Sequence, residues 1–186
     1  MNINSKRNQL LAAALFIVKT QGAEKLTLEA VAKEAGISKG GLLHHFPNKQ
    51  ALINAMVEET TNRYFSDIHE RATNDDNEVG KWSRAYIHAT FDEKQEEDGV
   101  NAALIASLFA NPDLLSKLKN HYSFWQAKIE NDGIDQVKAT IVRLAVDGLW
   151  FSEIFGVGEL NDDLKQQVIA YLSEMSGSPE AENNNI

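Results

Sequence analysis

The chain of 186 residues is long enough for one large or two small domains, and its lack of cysteine excludes disulfides and cysteine-based metal sites. The net charge of −9 argues by itself against nucleic-acid binding, and no apolar run approaches the roughly eighteen residues that a membrane span requires. No signal-peptide pattern opens the sequence, so we expect a cytoplasmic protein that does not enter a membrane.

The charge is distributed unevenly along the chain. Residues 1–49 contain seven Lys or Arg and three acidic residues, whereas the remainder contains 11 basic and 24 acidic residues. A basic segment on an acidic body can bind phosphate at one end and repel DNA elsewhere. Such a bias also arises by chance, so it supports nucleic-acid binding only together with a motif.

Residues 6–21 are predicted to form the first helix, because apolar side chains recur there at helical spacing. We expect Phe16 to widen this apolar stripe and Gly22 to end the helix. Lys6 and Arg7 at its start could lie along a phosphate backbone or belong to an ordinary solvated terminus.

The next stretch, residues 27–49, predicts two short helices that are separated by a tight turn. Thr27 is a good N-cap for the first helix, residues 27–35, and Gly36 accepts the positive φ that reverses the chain. Ser38 can cap a second helix at residues 39–45, and Pro47 ends it. This order is typical of a helix-turn-helix, whose second helix enters the DNA major groove.

The second helix contains Gly40 and Gly41, each of which costs about 1 kcal/mol relative to alanine in a helix. A purely structural helix of this length seldom carries both. A helix that is pressed against another backbone or against DNA can use glycine, because glycine permits close approach. The alternative is a loop that contains a fragment of helix.

This stretch resembles the DNA-binding domain of the TetR family of transcriptional repressors. The family pattern is matched in order and without a gap by Thr27, Val31, Ala32, Ala35, Gly36, Ile37, Ser38, Gly40, Leu42, Phe46, Lys49 and Leu52. Gly41 stands where threonine is common in the family, and Leu43 stands where tyrosine is common, so DNA readout must rely on other residues. The resemblance implies an all-α fold with an N-terminal helix-turn-helix three-helix domain and a C-terminal helical domain for ligand binding and dimerisation.

The motif predicts which residues lie in or beside the DNA. The candidate DNA-binding residues are Thr27, Ser38, Lys39, Gly40, Gly41, Leu43, His44, His45 and Lys49. Thr27, His45 and Lys49 are the predicted phosphate contacts. Two adjacent histidines could suggest a metal site, but adjacent side chains on a helix point about 100° apart, so we predict no metal there.

Six further helices are predicted after the DNA-binding stretch, the first of them capped by Asn48, the fifth by Asp135 and the sixth by Asn161 or Asp162. They are expected at residues 48–72, 79–94, 100–110, 114–131, 136–155 and 164–175, which makes about nine helices in all and leaves no useful strand pattern. Polar residues 73–78 form a linker and residues 95–99 an acidic break. The expected domains are residues 1–49 for DNA binding and 50–176 for effector binding and dimerisation. A polar tail that we expect to be disordered follows at 177–186, and the polar composition that defines it already begins at Ser176.

Aromatic residues are frequent in the C-terminal body, and polar residues are interleaved among them, as in an apolar pocket with a few orienting groups. The candidate ligand-binding residues are Trp82, Tyr86, Phe91, Tyr122, Trp125, Arg143, Asp147 and Trp150. The alternative is a plain aromatic core in which Arg143 and Asp147, four residues apart on a helix, simply pair. The TetR resemblance implies an effector pocket in this body.

The last two predicted helices are candidates for a homodimer interface, because two helices from each subunit can form a four-helix bundle. Dimerisation would place two recognition helices on half-sites about 34 Å apart. We therefore interpret the chain as a repressor that binds double-stranded operator DNA and is released by a small apolar or aromatic effector, with no cofactor. The alternative is an all-helical small-molecule-binding protein or enzyme with a vestigial DNA-binding head, although no nucleophile elbow or phosphate loop appears.

Overall fold

The computed structural model describes residues 3–91 and 111–177. These residues form eight α-helices and one 3-10 turn, with no strand among them, which confirms the all-α prediction. The predicted helix at 100–110 and the acidic break before it lie outside the described residues. The helices are α1 (Ile3–Gln21), α2 (Leu28–Glu34), α3 (Lys39–His45), α4 (Lys49–Thr73), α5 (Lys81–Phe91), α6 (Pro112–Glu130), α7 (Gln136–Phe155) and α8 (Asp162–Gly177).

Five helices begin at the N-caps that the sequence predicts. In each, a short polar side chain accepts a hydrogen bond from a backbone N–H in the first turn, which satisfies a group that has no partner inside the helix. The capping bonds measure 2.8 to 3.2 Å and are accepted by Thr27, Ser38, Asn48, Asp135 and Asn161.

The described residues divide into two compact units. The first contains residues 3–62 and 111–117, and the second contains residues 63–91 and 118–177. Helices α4 and α6 each contribute residues to both units. No helix in these described ranges is both long enough and apolar enough to cross a membrane.

The core of the first unit is mostly aliphatic and joins α1, α2, α3, the first half of α4 and Leu114 of α6. Its most deeply buried large side chains are Leu10, Ile17, Val31, Leu42, Leu52 and Met56. The prediction for Phe16 was wrong, because this side chain is 50% exposed. Phe16 lies about 100° around the helix from its buried neighbour Ile17 and therefore points away from the core.

Two departures of the second unit from the predicted helix boundaries have a clear physical cause. Helix α5 begins at Lys81 rather than at residue 79, because Gly80 has a φ of 75° and cannot continue a helix. Helix α8 continues through Ser176 and Gly177, which we had assigned to the polar tail. Ser176 is fully buried, and its hydroxyl donates to the Leu172 carbonyl at 2.8 Å. Residues 178–186 lie outside the described ranges.

Helix α5 is capped by a residue that is distant in sequence. The Asp132 carboxylate accepts hydrogen bonds from the backbone N–H groups of Trp82 at 3.0 Å and Ser83 at 2.7 Å. The side chain is buried, and this burial raises the pKa of Asp132 above its ordinary value despite the two bonds. Asp132 thus fixes the start of α5 against the loop that follows α6.

Candidate nucleic-acid interface

The turn between α2 and α3 is closed by two backbone hydrogen bonds. The Gly36 N–H donates to the Lys33 carbonyl at 3.1 Å, and the Ile37 N–H donates to the Ala32 carbonyl at 2.9 Å. This pair of bonds is a Schellman motif, which requires a left-handed residue, and Gly36 supplies it with a φ of 62°. The turn therefore sets the angle at which α3 leaves α2.

Helix α3 is buried at only one position within its span. The Leu42 side chain is fully buried, and Phe46, the C-cap residue, anchors the end of the helix in the same core. The other positions of the helix are exposed or half-buried. Among the predicted DNA-binding residues, Thr27, Ser38, Lys39, Gly40, Leu43, His44 and Lys49 are exposed, while Gly41 and His45 are half-buried.

The two glycines of α3 have different surroundings. A Cβ added to Gly41 would lie 3.0 Å from Cγ2 of Ile37 and 3.3 Å from Oγ of Ser38, so the turn itself restricts this position. A Cβ added to Gly40 would meet nothing within 4 Å. The fold of the first unit therefore gives no steric reason for a glycine at position 40, although glycine weakens the helix.

The charged groups of this surface are already organised without DNA. The ammonium group of Lys39 forms an ion pair with the Glu29 carboxylate across the turn. This hydrogen bond and charge lower the pKa of Glu29 below its ordinary value. Lys49 is exposed in the first turn of α4, immediately after its cap Asn48. We did not predict Glu29 from the sequence, because its contact joins residues ten positions apart across a turn.

The two histidines of α3 are neighbours in the structure as well as in the sequence. The rings of His44 and His45 lie edge to face, with centroids 5.4 Å apart. Across residues 3–91 and 111–177, no group of three or more His, Asp or Glu side chains is placed to hold an ion. Both histidines sit at the end of α3 that adjoins the start of α4.

In the second unit, four of the predicted ligand-binding residues come together in a polar cluster. The Asp147 carboxylate accepts hydrogen bonds from the Tyr86 hydroxyl and from Arg143, the latter at 3.0 Å. Burial raises the pKa of Tyr86 and of Tyr122, and the Asp147 charge adds to both shifts. The predicted pair of Arg143 and Asp147 is present. The buried Tyr86 also bonds to Asp147, and the spacing of the pair did not predict this contact.

Two members of this cluster were missed by sequence reasoning. The hydroxyls of Tyr64 and Thr90 are 2.7 Å apart, and the Thr90 hydroxyl also donates to the Tyr86 carbonyl at 2.7 Å. Burial raises the pKa of Tyr64. Because Tyr64 reaches the cluster from α4, 26 residues before Thr90, no local pattern in the sequence could have shown the contact.

Three of the other predicted ligand-binding residues, Trp82, Phe91 and Trp125, belong to the same hydrophobic core as the tyrosines of this cluster. Trp82 and Trp125 pack with ring centroids 5.3 Å apart, and Trp125 also stacks on Phe65 at 5.7 Å. The Phe91 ring carries the Lys165 ammonium 5.5 Å from its centroid. Trp150 is half-buried on α7. The roles of these residues in ligand binding stay predictions.

Helices α7 and α8 carry apolar side chains on the solvent side of the second unit. Along α7 they recur at intervals of three, four or seven residues, so they form one stripe. The exposed members, each 43% to 64% accessible, are Val137, Ile141, Leu144, Phe151 and Phe155 on α7 and Leu164 and Tyr171 on α8. The opposite face of α7 is buried through Ala139, Val142 and Val146.

Comparison with curated proteins finds relatives among HTH-type transcriptional regulators and nucleoid occlusion factors. HTH-type transcriptional regulator BetI of Klebsiella pneumoniae is 26% identical over 178 residues, which cover 89% of this chain and 91% of that protein. Nucleoid occlusion factor SlmA of a Marinomonas species is 26% identical over 78 residues, or 42% of this chain. The chain spans only 40% of the length of that factor and 65% of the length of its Haemophilus ducreyi counterpart.

Solved structures share the fold at low sequence identity. A TetR transcription regulator from Haloarcula marismortui aligns with a TM-score of 0.73 and 14% identity, over 93% of this chain and 97% of that one. The multidrug binding protein EbrR, solved with malachite green, aligns with a TM-score of 0.64 and 16% identity, over 92% of this chain and 98% of that one.

Two family models match separate parts of the sequence. The model described as "Bacterial regulatory proteins, tetR family" matches residues 10–56, which contain the helix-turn-helix. The model described as "Tetracyclin repressor-like, C-terminal domain" matches residues 80–177, more than half of the chain. The protein therefore belongs to the TetR family of transcriptional regulators, with an N-terminal DNA-binding domain and a TetR-type C-terminal domain.

Proposed function

We propose that this regulator is a repressor that binds double-stranded operator DNA through α3. The observation that carries the proposal is the combination of a fixed helix-turn-helix with an α3 that buries only Leu42. Its exposed face includes Gly40, where the protein leaves the space of a side chain empty. A DNA backbone or base edge can approach this face closely, and the exposed Lys39 and Lys49 supply positive charge beside it. This function would place the protein in the cytoplasm, where bacterial operator DNA lies.

The proposed active form is a homodimer through α7 and α8. The support is the exposed stripe defined above, since a monomer that displays several large apolar side chains on one helix face has a strong reason to associate. Two such helices from each subunit would make a four-helix bundle. A two-fold symmetric pair also suits a palindromic operator with half-sites about 34 Å apart.

The proposed signal is a small apolar or aromatic effector that binds in the second unit. Support comes from the tyrosine, Arg143 and Asp147 cluster, where polar groups are set among aromatic rings. Asp147 is already paired with Arg143 and Tyr86, so the cluster favours a ligand that carries hydrogen-bonding groups and little net charge. Such an effector releases operator DNA only if it binds the released conformation more tightly than the DNA-bound one.

A mobility-shift assay on the DNA flanking the protein's own gene tests the proposal. The full-length wild-type protein is expected to retard this fragment and to resist competition by an excess of random-sequence duplex of equal length. Equal competition by the random duplex, or no retardation at any protein concentration, would contradict an operator-binding function. A panel of aromatic and apolar compounds added to the preformed complex then tests release.

A further inference from the structure

Lys39 is the only lysine or arginine in α3, so it carries the one permanent positive charge of the proposed recognition helix. In the structure this charge is engaged by Glu29, which reaches it from the first turn of α2. Both side chains are largely exposed, at 58% for Lys39 and 63% for Glu29. The pair therefore lies on the surface that the proposed function turns towards DNA.

A phosphate and the Glu29 carboxylate compete for the same ammonium group. Binding of duplex DNA without sequence preference depends almost entirely on neutralising phosphates with Lys and Arg, which releases counterions from the DNA. A lysine that is paired with a carboxylate adds less to this electrostatic part of the binding free energy, and the carboxylate itself repels phosphate. Because an exposed ion pair contributes little to folding, stability alone gives a weak reason for this contact.

We propose that Glu29 weakens the sequence-independent part of DNA binding by occupying Lys39. The inference rests on the proposed DNA-binding function and adds a residue that limits affinity for DNA. A phosphate that binds Lys39 must first displace the Glu29 carboxylate. The protein therefore binds less tightly to DNA sites that offer it no base contacts. The lowered pKa of Glu29 is consistent with a carboxylate that stays ionised beside Lys39.

The test measures affinity of the full-length protein for a random-sequence duplex over a series of salt concentrations. Glu29→Gln is expected to raise affinity about fivefold to tenfold near 0.1 M salt and to steepen the salt dependence by about one ion, the effect of one additional phosphate contact. Glu34→Gln is the matched control, because it removes the same charge from an exposed position on the same helix. Its effect is expected to stay below about twofold, since exposed charges are screened within about 10 Å.

A double-mutant cycle then tests whether Glu29 acts through Lys39. In a Lys39→Gln background, Glu29→Gln is expected to change affinity by less than about twofold. Equal effects of Glu29→Gln and Glu34→Gln would overturn the inference, because net charge alone would then explain the gain. An unchanged affinity in Glu29→Gln, with wild type still binding the duplex, would also overturn it and leave the proposed function intact. Failure of wild type to bind any duplex would overturn both.

Discussion

The backbone N–H of Ile37 donates to the carbonyl oxygen of Ala32 at 2.9 Å, and this bond closes the turn of the helix-turn-helix. It ties the residue just before the cap of α3 to the last full turn of α2. Ile37 also packs against the core of the first unit, so the turn is held both by the backbone and by a side chain. The direction of α3 is thereby fixed before any DNA is bound, which removes an ordering cost from recognition.

Gly40→Ala should separate folding from DNA binding. The added Cβ meets nothing within 4 Å in the protein, so the better helix propensity of alanine is expected to stabilise the protein by up to about 1 kcal/mol. If DNA approaches Gly40 closely, the same methyl group should weaken binding about tenfold or more. Thermal unfolding and duplex titration measure the two effects. A stabilised variant with unchanged DNA affinity would show that position 40 does not face the DNA.

Lys49→Ala is expected to weaken binding to duplexes of all sequences and to lower the salt slope by about one. The reason is that Lys49 stands exposed in the first turn of α4, where backbone N–H groups also favour an anion. The measurement is affinity against salt concentration for two unrelated duplexes. Lys119→Ala is the control, because it removes an exposed lysine from the second unit. Equal slopes for Lys49→Ala and wild type would contradict the phosphate contact.

Leu144→Arg should produce a monomer that binds operator DNA poorly. Leu144 is 55% exposed in the apolar stripe of α7, and an arginine there would bury unpaired charge in the proposed dimer interface. Light scattering coupled to size-exclusion chromatography gives the oligomeric state. Phe16→Arg provides a comparison, since it places the same charge on a half-exposed apolar residue of α1. Dimers in both variants would place the interface elsewhere.

The buried carboxyl of Asp132 predicts a specific pH dependence of stability. Its pKa is raised in the folded protein above the ordinary value of 3.8, so the folded state favours the protonated form. We therefore compare the free energies of unfolding of wild type and Asp132→Asn. The advantage of wild type should be greatest below pH 3.8 and should decline as the pH rises through the pKa of Asp132 in the folded state. Urea unfolding of both proteins at a series of pH values measures the difference. A difference that grows with pH would contradict the direction of the shift.

The local features of this fold could be predicted because they depend on neighbouring residues. Thr27, Ser38 and Asn48 cap helices whose first turns follow directly, and Gly36 closes a turn within six residues. Each of these interactions is encoded in a short stretch, so residue type and spacing were sufficient.

The features that escaped prediction join residues far apart in the chain. Asp132 caps α5 from about fifty positions away, and Gly80 is constrained by the carbonyl oxygen of Ser176, which a Cβ would approach to 1.5 Å. The polar composition near Ser176 indicated a tail, but tertiary packing buries that residue at the end of α8. The Glu29–Lys39 contact likewise depends on the angle between two helices, which composition does not contain.

The central claim is that two copies of α3 enter the major groove on successive turns of one duplex. Guanine N7 is accessible only in the major groove, so protection of this atom from methylation reports the contact directly. We would select duplexes bound by the full-length protein from a random library and map N7 protection on the enriched sequence. The expected result is two symmetric patches of protected guanines about 10 base pairs apart. A single patch, or protection confined to minor-groove adenine N3, would contradict the account.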